Sequence, residues 1–219
     1  LTVINPQNYC IEKKVIQYLP GTVGGIPKLL TSGDELVDTS IVSLIKSSSG
    51  LRIKYGTDAI VNSAGYIEGL IIHRRQLNPM LYARFLVNDL ASSRFFIGFT
   101  NKNAIDHAVA NEPAGGNYFG LLFDSASADW RIISRGGSTG TNRPSGITAT
   151  TGVHEVYLEM FSVNGSNRLQ YQIDDNDISD DANNMPIDGT DLRLVAVVLT
   201  KNGVVKSFEL GKCLISSDF

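Results

Sequence analysis

Alternation at a period of two, recurring in short runs along the whole chain without any sustained 3.6-residue period, most restricts what this sequence can fold into. In Arg94-Phe95-Phe96-Ile97-Gly98-Phe99-Thr100, Phe95, Ile97 and Phe99 fall on one side. In residues 168–174, Leu169, Tyr171 and Ile173 alternate with Arg168, Gln170, Gln172 and Asp174. That spacing is the mark of a strand with one buried and one wet face. Similar runs at 9–19, 36–45, 51–55, 66–74, 81–87, 117–123, 130–134, 153–163, 192–200 and 204–210 bring the expected strands to about 12. Helices are expected to be single turns at most, below about a tenth of the chain.

Turn chemistry agrees. Asn164-Gly165-Ser166-Asn167 and Lys201-Asn202-Gly203 are hairpin signals, because Asn-Gly tolerates the positive φ of tight turns. With 219 residues and 21 glycines, the expected fold is all-β, an antiparallel β-sandwich of two sheets around one core. Residues 1–65 are expected as N-terminal β segments, forming edge strands or a small subdomain. Residues 66–219 are expected to form the sandwich core.

A formal net charge of −3 leaves no electrostatic footprint for a phosphate backbone, so nucleic acid is not an expected partner. The longest apolar runs, such as Val195-Ala196-Val197-Val198-Leu199, fall far short of the roughly 20 residues of a membrane-crossing helix, and no membrane insertion is expected. The chain opens Leu-Thr-Val-Ile-Asn-Pro with neither Met nor a basic-apolar leader, which suggests a processed or excised chain. Cys10 and Cys213 sit near opposite ends, so they are either two buried thiols or a pair brought together by neighbouring strands.

The order of segments carries more than their number. Arg94 to Asn101 precedes Tyr118-Phe119-Gly120-Leu121-Leu122-Phe123-Asp124 and Trp130-Arg131-Ile132-Ile133-Ser134-Arg135, and His154 to Met160 leads through a hairpin into Leu169 to Asn176. This succession, over roughly residues 66 to 213, resembles the concanavalin A-like (laminin G-like) jelly-roll superfamily of lectins, glycanases and viral or phage fibre and surface proteins. The resemblance implies a non-catalytic recognition or structural module of a virion fibre or surface assembly, extracellular or on the virion surface. It would bind a glycan or protein receptor, as a homo-oligomer or within a larger assembly. A host lectin-like carbohydrate-binding protein and a glycoside hydrolase are the alternatives. Such a fold hosts many activities, so function rests on sites.

Candidate sites follow from chemistry. A sugar needs an aromatic platform with polar groups beside it. Trp130, Arg131, Arg135, Asn142 and Arg143 supply these around one hairpin, although Trp130 alternates with Ile132 and is equally suited to the core. The loops at 101–116 and 134–146 are the other places to look. A glycanase needs two opposed carboxyl groups. Glu155 and Glu159 share a strand face with Tyr157, which resembles the Glu-x-Asp-x-Glu strand of concanavalin-like glucanases with Tyr157 where that family has Asp. Seven aspartates between 174 and 191, with no Lys or Arg among them, raise a calcium site on Asp175, Asp177 and Asp181 against a solvated acidic loop. The histidines are scattered, and Asp106-His107 reads as a surface pair within a loop.

Overall fold

The structure, a computed structural model, describes residues 14–23, 26–30, 37–38, 41–47, 50–69, 72–181 and 184–217. Its strands are β1 (Lys14–Val23), β2 (Ile26–Leu30), β3 (Val37–Asp38), β4 (Ile41–Ser47), β5 (Gly50–Gly56), β6 (Ala64–Glu68), β7 (Met80–Val87) and β8 (Ser93–Thr100). After helix α1 (Ala104–Val109) come β9 (Tyr118–Asp124), β10 (Asp129–Gly136), β11 (Thr139–Thr148), β12 (Gly152–Val163), β13 (Ser166–Ile173), β14 (Ser179–Asp181), β15 (Arg193–Thr200) and β16 (Ser207–Ser217). Two sheets result. One runs β14-β13-β12-β7-β16-β1-β2, with β5 also pairing β16 and β4 pairing β5; the other runs β11-β10-β9-β8-β15-β6-β3. The pairings are antiparallel throughout, including β1 and β5 on β16 and β3 on β6.

The two sheets enclose one core. The inward sides of β8 and β9 contribute Phe95, Ile97, Phe99, Phe119, Leu121 and Phe123, and the facing sheet adds Phe85, Val156, Leu158 and Phe208. Trp130 lies fully buried within it, edge-on to Phe85, Phe95 and Phe123 at centroid distances of 5.9, 6.2 and 5.7 Å. The off-set and edge-on geometry is the one that aromatic quadrupoles favour.

The central strands of the seven-stranded sheet, β8, β9 and β15, are buried on both faces. Phe96, Tyr118, Leu122, Ile133, Val195 and Val197 project outward into a second cluster with Ala104 and Ala108 of α1. The α1 helix is fixed at both ends. The Glu68 carboxylate accepts the Ala104 N–H at 2.5 Å, and Arg94 donates to the Ala108 carbonyl at 2.6 Å. Arg94 and Lys201 both reach Asp124, at 2.9 and 2.5 Å. Burial pushes the Asp124 carboxyl up, but Lys201, the Ala126 N–H and Arg94 outweigh it and hold it to about 2.

His107 departs from the surface-loop expectation. It is fully buried on α1, stacked on Phe96 at 4.0 Å, with Nε2 2.9 Å from Thr100 Oγ1. Burial, with Lys102 nearby, pushes its pKa down to about 3, so it packs as a neutral aromatic ring. Asp106 turns away from it and accepts the Asn103 N–H at 3.2 Å.

Cys213 is a buried free thiol, and Cys10 lies outside the described residues. Burial pushes the Cys213 thiol up to about 12, and the thiolate is the reactive form. Native protein should therefore leave Cys213 unlabelled by a thiol reagent at pH 8, with labelling on addition of guanidinium. Rapid native labelling at this position, read by peptide mass, would contradict its burial.

Candidate functional site

The hairpin residues singled out from sequence do not share one surface. The β10 alternation sends Trp130 and Ile132 into the core and Arg131 to the opposite side, which removes Trp130 as an exposed sugar platform. Arg131 donates to the Asn142 side chain and, at 2.9 Å, to its carbonyl, so this pair staples β10 to β11. Arg135 donates to the Gly137 and Ser138 carbonyls at 3.2 and 2.9 Å and closes the hairpin turn. Arg143 is exposed, opposite Ile132 on β11.

Glu155 and Glu159 do share the outward side of β12. Glu155 accepts the Tyr82 hydroxyl at 2.7 Å and lies 3.6 Å from Arg84 Nε, while the buried Glu159 takes the Tyr157 hydroxyl. Burial and the bond to Glu155 hold the Tyr82 hydroxyl well above the usual phenol range. Tyr157 therefore does not substitute for a third carboxylate; it occupies one of the two present.

The acidic segment is dispersed among cations. Asp174 pairs with His154 at 2.9 Å, Asp180 with Arg168 at 2.7 Å, Asp191 with Arg74 at 2.6 Å, and Asp188 with Arg75. The repulsion among like charges that made a cation attractive is thus offset by distant basic residues. Asp175 and Asp177 are exposed, and the Asp181 side chain lies outside the described residues. Among the described residues no group of three or more His, Cys, Asp or Glu is gathered as a metal site.

The His154–Asp174 pair has a pH signature. His154 is buried; Nδ1 donates to Asp174 Oδ2 and Nε2 donates to the Thr150 carbonyl at 2.8 Å, which requires the imidazolium. Burial lowers its pKa, but the Asp174 and Thr150 bonds raise it further, to a net value above 6.5. Asp174 is conversely held below 3.8, its bonds to His154 and the Glu155 N–H overcoming burial. The raised histidine contributes stability that is complete below pH 6.5 and lost as pH rises through the folded pKa; the lowered carboxyl contributes stability lost as pH falls below 3.8. Chemical denaturation from pH 5 to 9 should show stability declining on the alkaline side, and His154→Gln should flatten that limb. An unchanged limb in the variant would contradict the charged pair.

Polar groups and open space converge instead at one end of the sandwich, around residues 184–193. Asn117 organises it. Its side-chain oxygen accepts the Ile187 N–H at 2.9 Å and the Gly137 N–H at 3.3 Å, while its backbone N–H donates to Asn101 Oδ1 at 2.7 Å. Asn184 donates to Thr141 Oγ1 at 2.8 Å, and the Gly189 N–H to Gln76 Oε1 at 3.0 Å. A Cβ on Gly136 would stand 2.0 Å from the Met185 carbonyl oxygen, so only glycine lets the β10–β11 turn seat this segment.

Two clefts flank the segment. A cleft of about 540 Å³ is lined by Arg75, Ser166, Asn167, Met185, Pro186, Ile187 and Asp188. A second, of about 270 Å³, is lined by Gly69, Ile72, Thr100, Asn101, Asp191, Leu192 and Arg193. Both combine amide, hydroxyl, charged and aliphatic groups on backbone held by side-chain hydrogen bonds, as small polar ligands require. The loops at 101–116 and 134–146 expected from sequence border this end, whereas Arg75, Ser166, Asn167 and the 184–193 segment were not among the expected site residues. The Asn-Gly-Ser-Asn hairpin and the Pro186 and Gly189 turn residues were the available signals.

No family model and no curated protein matches the sequence, but solved structures match the fold. The Emp47p carbohydrate recognition domain aligns at 12% identity with TM-score 0.65, over 94% of this chain and 95% of its own. Peanut lectin aligns at 13% and 0.61, over 94% and 97%. An endo-β-1,4-glucuronan lyase from the fungus Trichoderma reesei aligns at 12% and 0.61, over 92% and 95%. The chain has the concanavalin A-like lectin and glucanase jelly-roll fold, as its sequence resemblance implied.

Proposed function

We propose that this chain is a non-catalytic glycan-recognition module of a virion fibre or surface assembly, with the loop end around residues 184–193 as its binding surface. The observation that carries this reading is the pair of polar-walled clefts on either side of that segment, where hydroxyl, amide and guanidinium groups stand beside aliphatic side chains. Sugars are held in such settings, with hydroxyls hydrogen-bonded and ring C–H faces against apolar groups. Likeness in fold to the Emp47p carbohydrate recognition domain and to peanut lectin supports a carbohydrate ligand. The virion setting rests on the sequence resemblance to fibre and surface modules. Recognition rather than hydrolysis is favoured by the two candidate acids, Glu155 and Glu159, each already engaged by a tyrosine hydroxyl.

A glycan-array screen with and without calcium, beside a size measurement in solution, tests the proposal. Saturable binding to a defined set of glycans, unaffected by chelator, is expected. Failure to bind any glycan, or release of reducing ends from a bound polysaccharide, would overturn it.

A further inference from the structure

Arg75 is the unusual wall of the larger cleft. Its side chain is only 10% exposed, yet its partner Asp188 is 62% exposed and pairs with Nη2. The neighbouring Nε is buried and has no hydrogen-bond partner among the described residues. Nε and Nη2 form one edge of the guanidinium, the edge that a carboxylate grips with two parallel bonds. A buried arginine N–H left unpaired is costly. The fork is therefore half used, in a cleft of about 540 Å³ that also presents Ser166 and Asn167.

Asp188 is placed so that it can yield. It stands in the turn closed by the Thr190 N–H on the Ile187 carbonyl at 3.2 Å, with Gly189 at φ 76° following it. An ion pair with one partner this exposed contributes little to stability. Arg75, by contrast, is fixed by burial. Met185, Pro186 and Ile187 add an apolar wall on which a sugar ring can rest.

We propose that this cleft takes a sugar bearing a carboxylate, a uronic or sialic acid residue, whose carboxylate grips the Nε and Nη2 edge of Arg75 and displaces Asp188. Ser166 and Asn167 serve the ring hydroxyls. The inference rests on the glycan-recognition reading and narrows it to acidic sugars at one cleft. In the free protein, Asp188 holds the place of the ligand carboxylate and competes with it.

The test is calorimetric titration of the full chain with three probes: a glucuronic acid-terminated disaccharide, sialyllactose, and neutral lactose. At least one acidic probe should bind about tenfold or more tightly than lactose, the margin of one charge-assisted contact, and the preferred probe identifies which acid is read. Asp188→Asn, on the exposed side of the pair, should strengthen that acidic probe several-fold relative to lactose, since a competing carboxylate is gone. Arg75→Lys, which keeps the charge and loses the fork, should abolish the preference. Lactose binding as tightly as both acids, or no gain in Asp188→Asn, overturns the inference while glycan recognition stands. Binding of none of the three probes, with an array that is also blank, overturns both. If Arg75→Lys fails to fold, Asp188→Asn alone decides the matter.

Discussion

Trp130→Ala should cost about 3 to 5 kcal/mol of folding stability, the usual range for deleting a large buried aromatic. Trp130 is fully buried and is ringed by Phe85, Phe95, Phe123 and His154. Trp130→Phe should be far milder, because the Nε1 proton it removes has no hydrogen-bond partner among the described residues. Denaturant unfolding of both variants, with a glycan titration of the milder one, separates a core role from a ligand role. Lost glycan binding in a stable Trp130→Phe protein would return Trp130 to the binding surface.

Asp124→Ala should be comparably damaging, at about 3 to 5 kcal/mol, because it strands a buried cation. Arg94, only 12% exposed, would keep its charge beside the apolar underside of α1, and Lys201 would lose its partner. Loss of the Arg94 anchor should also loosen α1 through the Ala108 carbonyl. Hydrogen exchange should accelerate in residues 104–109 of Asp124→Asn before the sheets open. A variant as stable as the parent would show that the three charges are solvated rather than structural.

Strands were readable where one face alone is buried. The alternations in 81–87 and 168–173 became β7 and β13 with one-sided burial. In β8 the alternation of Phe95, Ile97 and Phe99 reads as one buried and one wet face, but both faces are buried. Phe96 interrupts the alternation of Phe95, Ile97 and Phe99, and a residue out of phase was the sign of a second apolar layer under α1. The β11 sequence, Thr-Gly-Thr-Asn-Arg-Pro-Ser-Gly-Ile-Thr, lacks apolar alternation and reads as a polar loop; it is an edge strand, held by pairing to β10 rather than by burial. Edge position also explains why Pro144 is tolerated there.

The proposed binding surface was less legible, since it is made by tertiary approach. Asn117 gains its role only when β9 brings it beside the 137 and 187 turns. The aspartates of 174–191 looked like one cluster in sequence, but their partners His154, Arg168, Arg75 and Arg74 come from other strands and turns. Linear charge density therefore said little about a metal. Arg75, in a short turn between β6 and β7, gave no periodic signal at all.

The most direct test of the loop-end assignment is a chemical-shift map of the isotopically labelled chain, titrated with the glycan that the array selects. Shifts confined to the amides of residues 166–167, 185, 187–188 and 191–193 are expected, with Tyr82, Arg84, Glu155, Tyr157 and Glu159 on the outer side of the nine-stranded sheet unmoved. Shifts centred on Tyr82, Glu155 and Glu159, with the 184–193 segment silent, would contradict it.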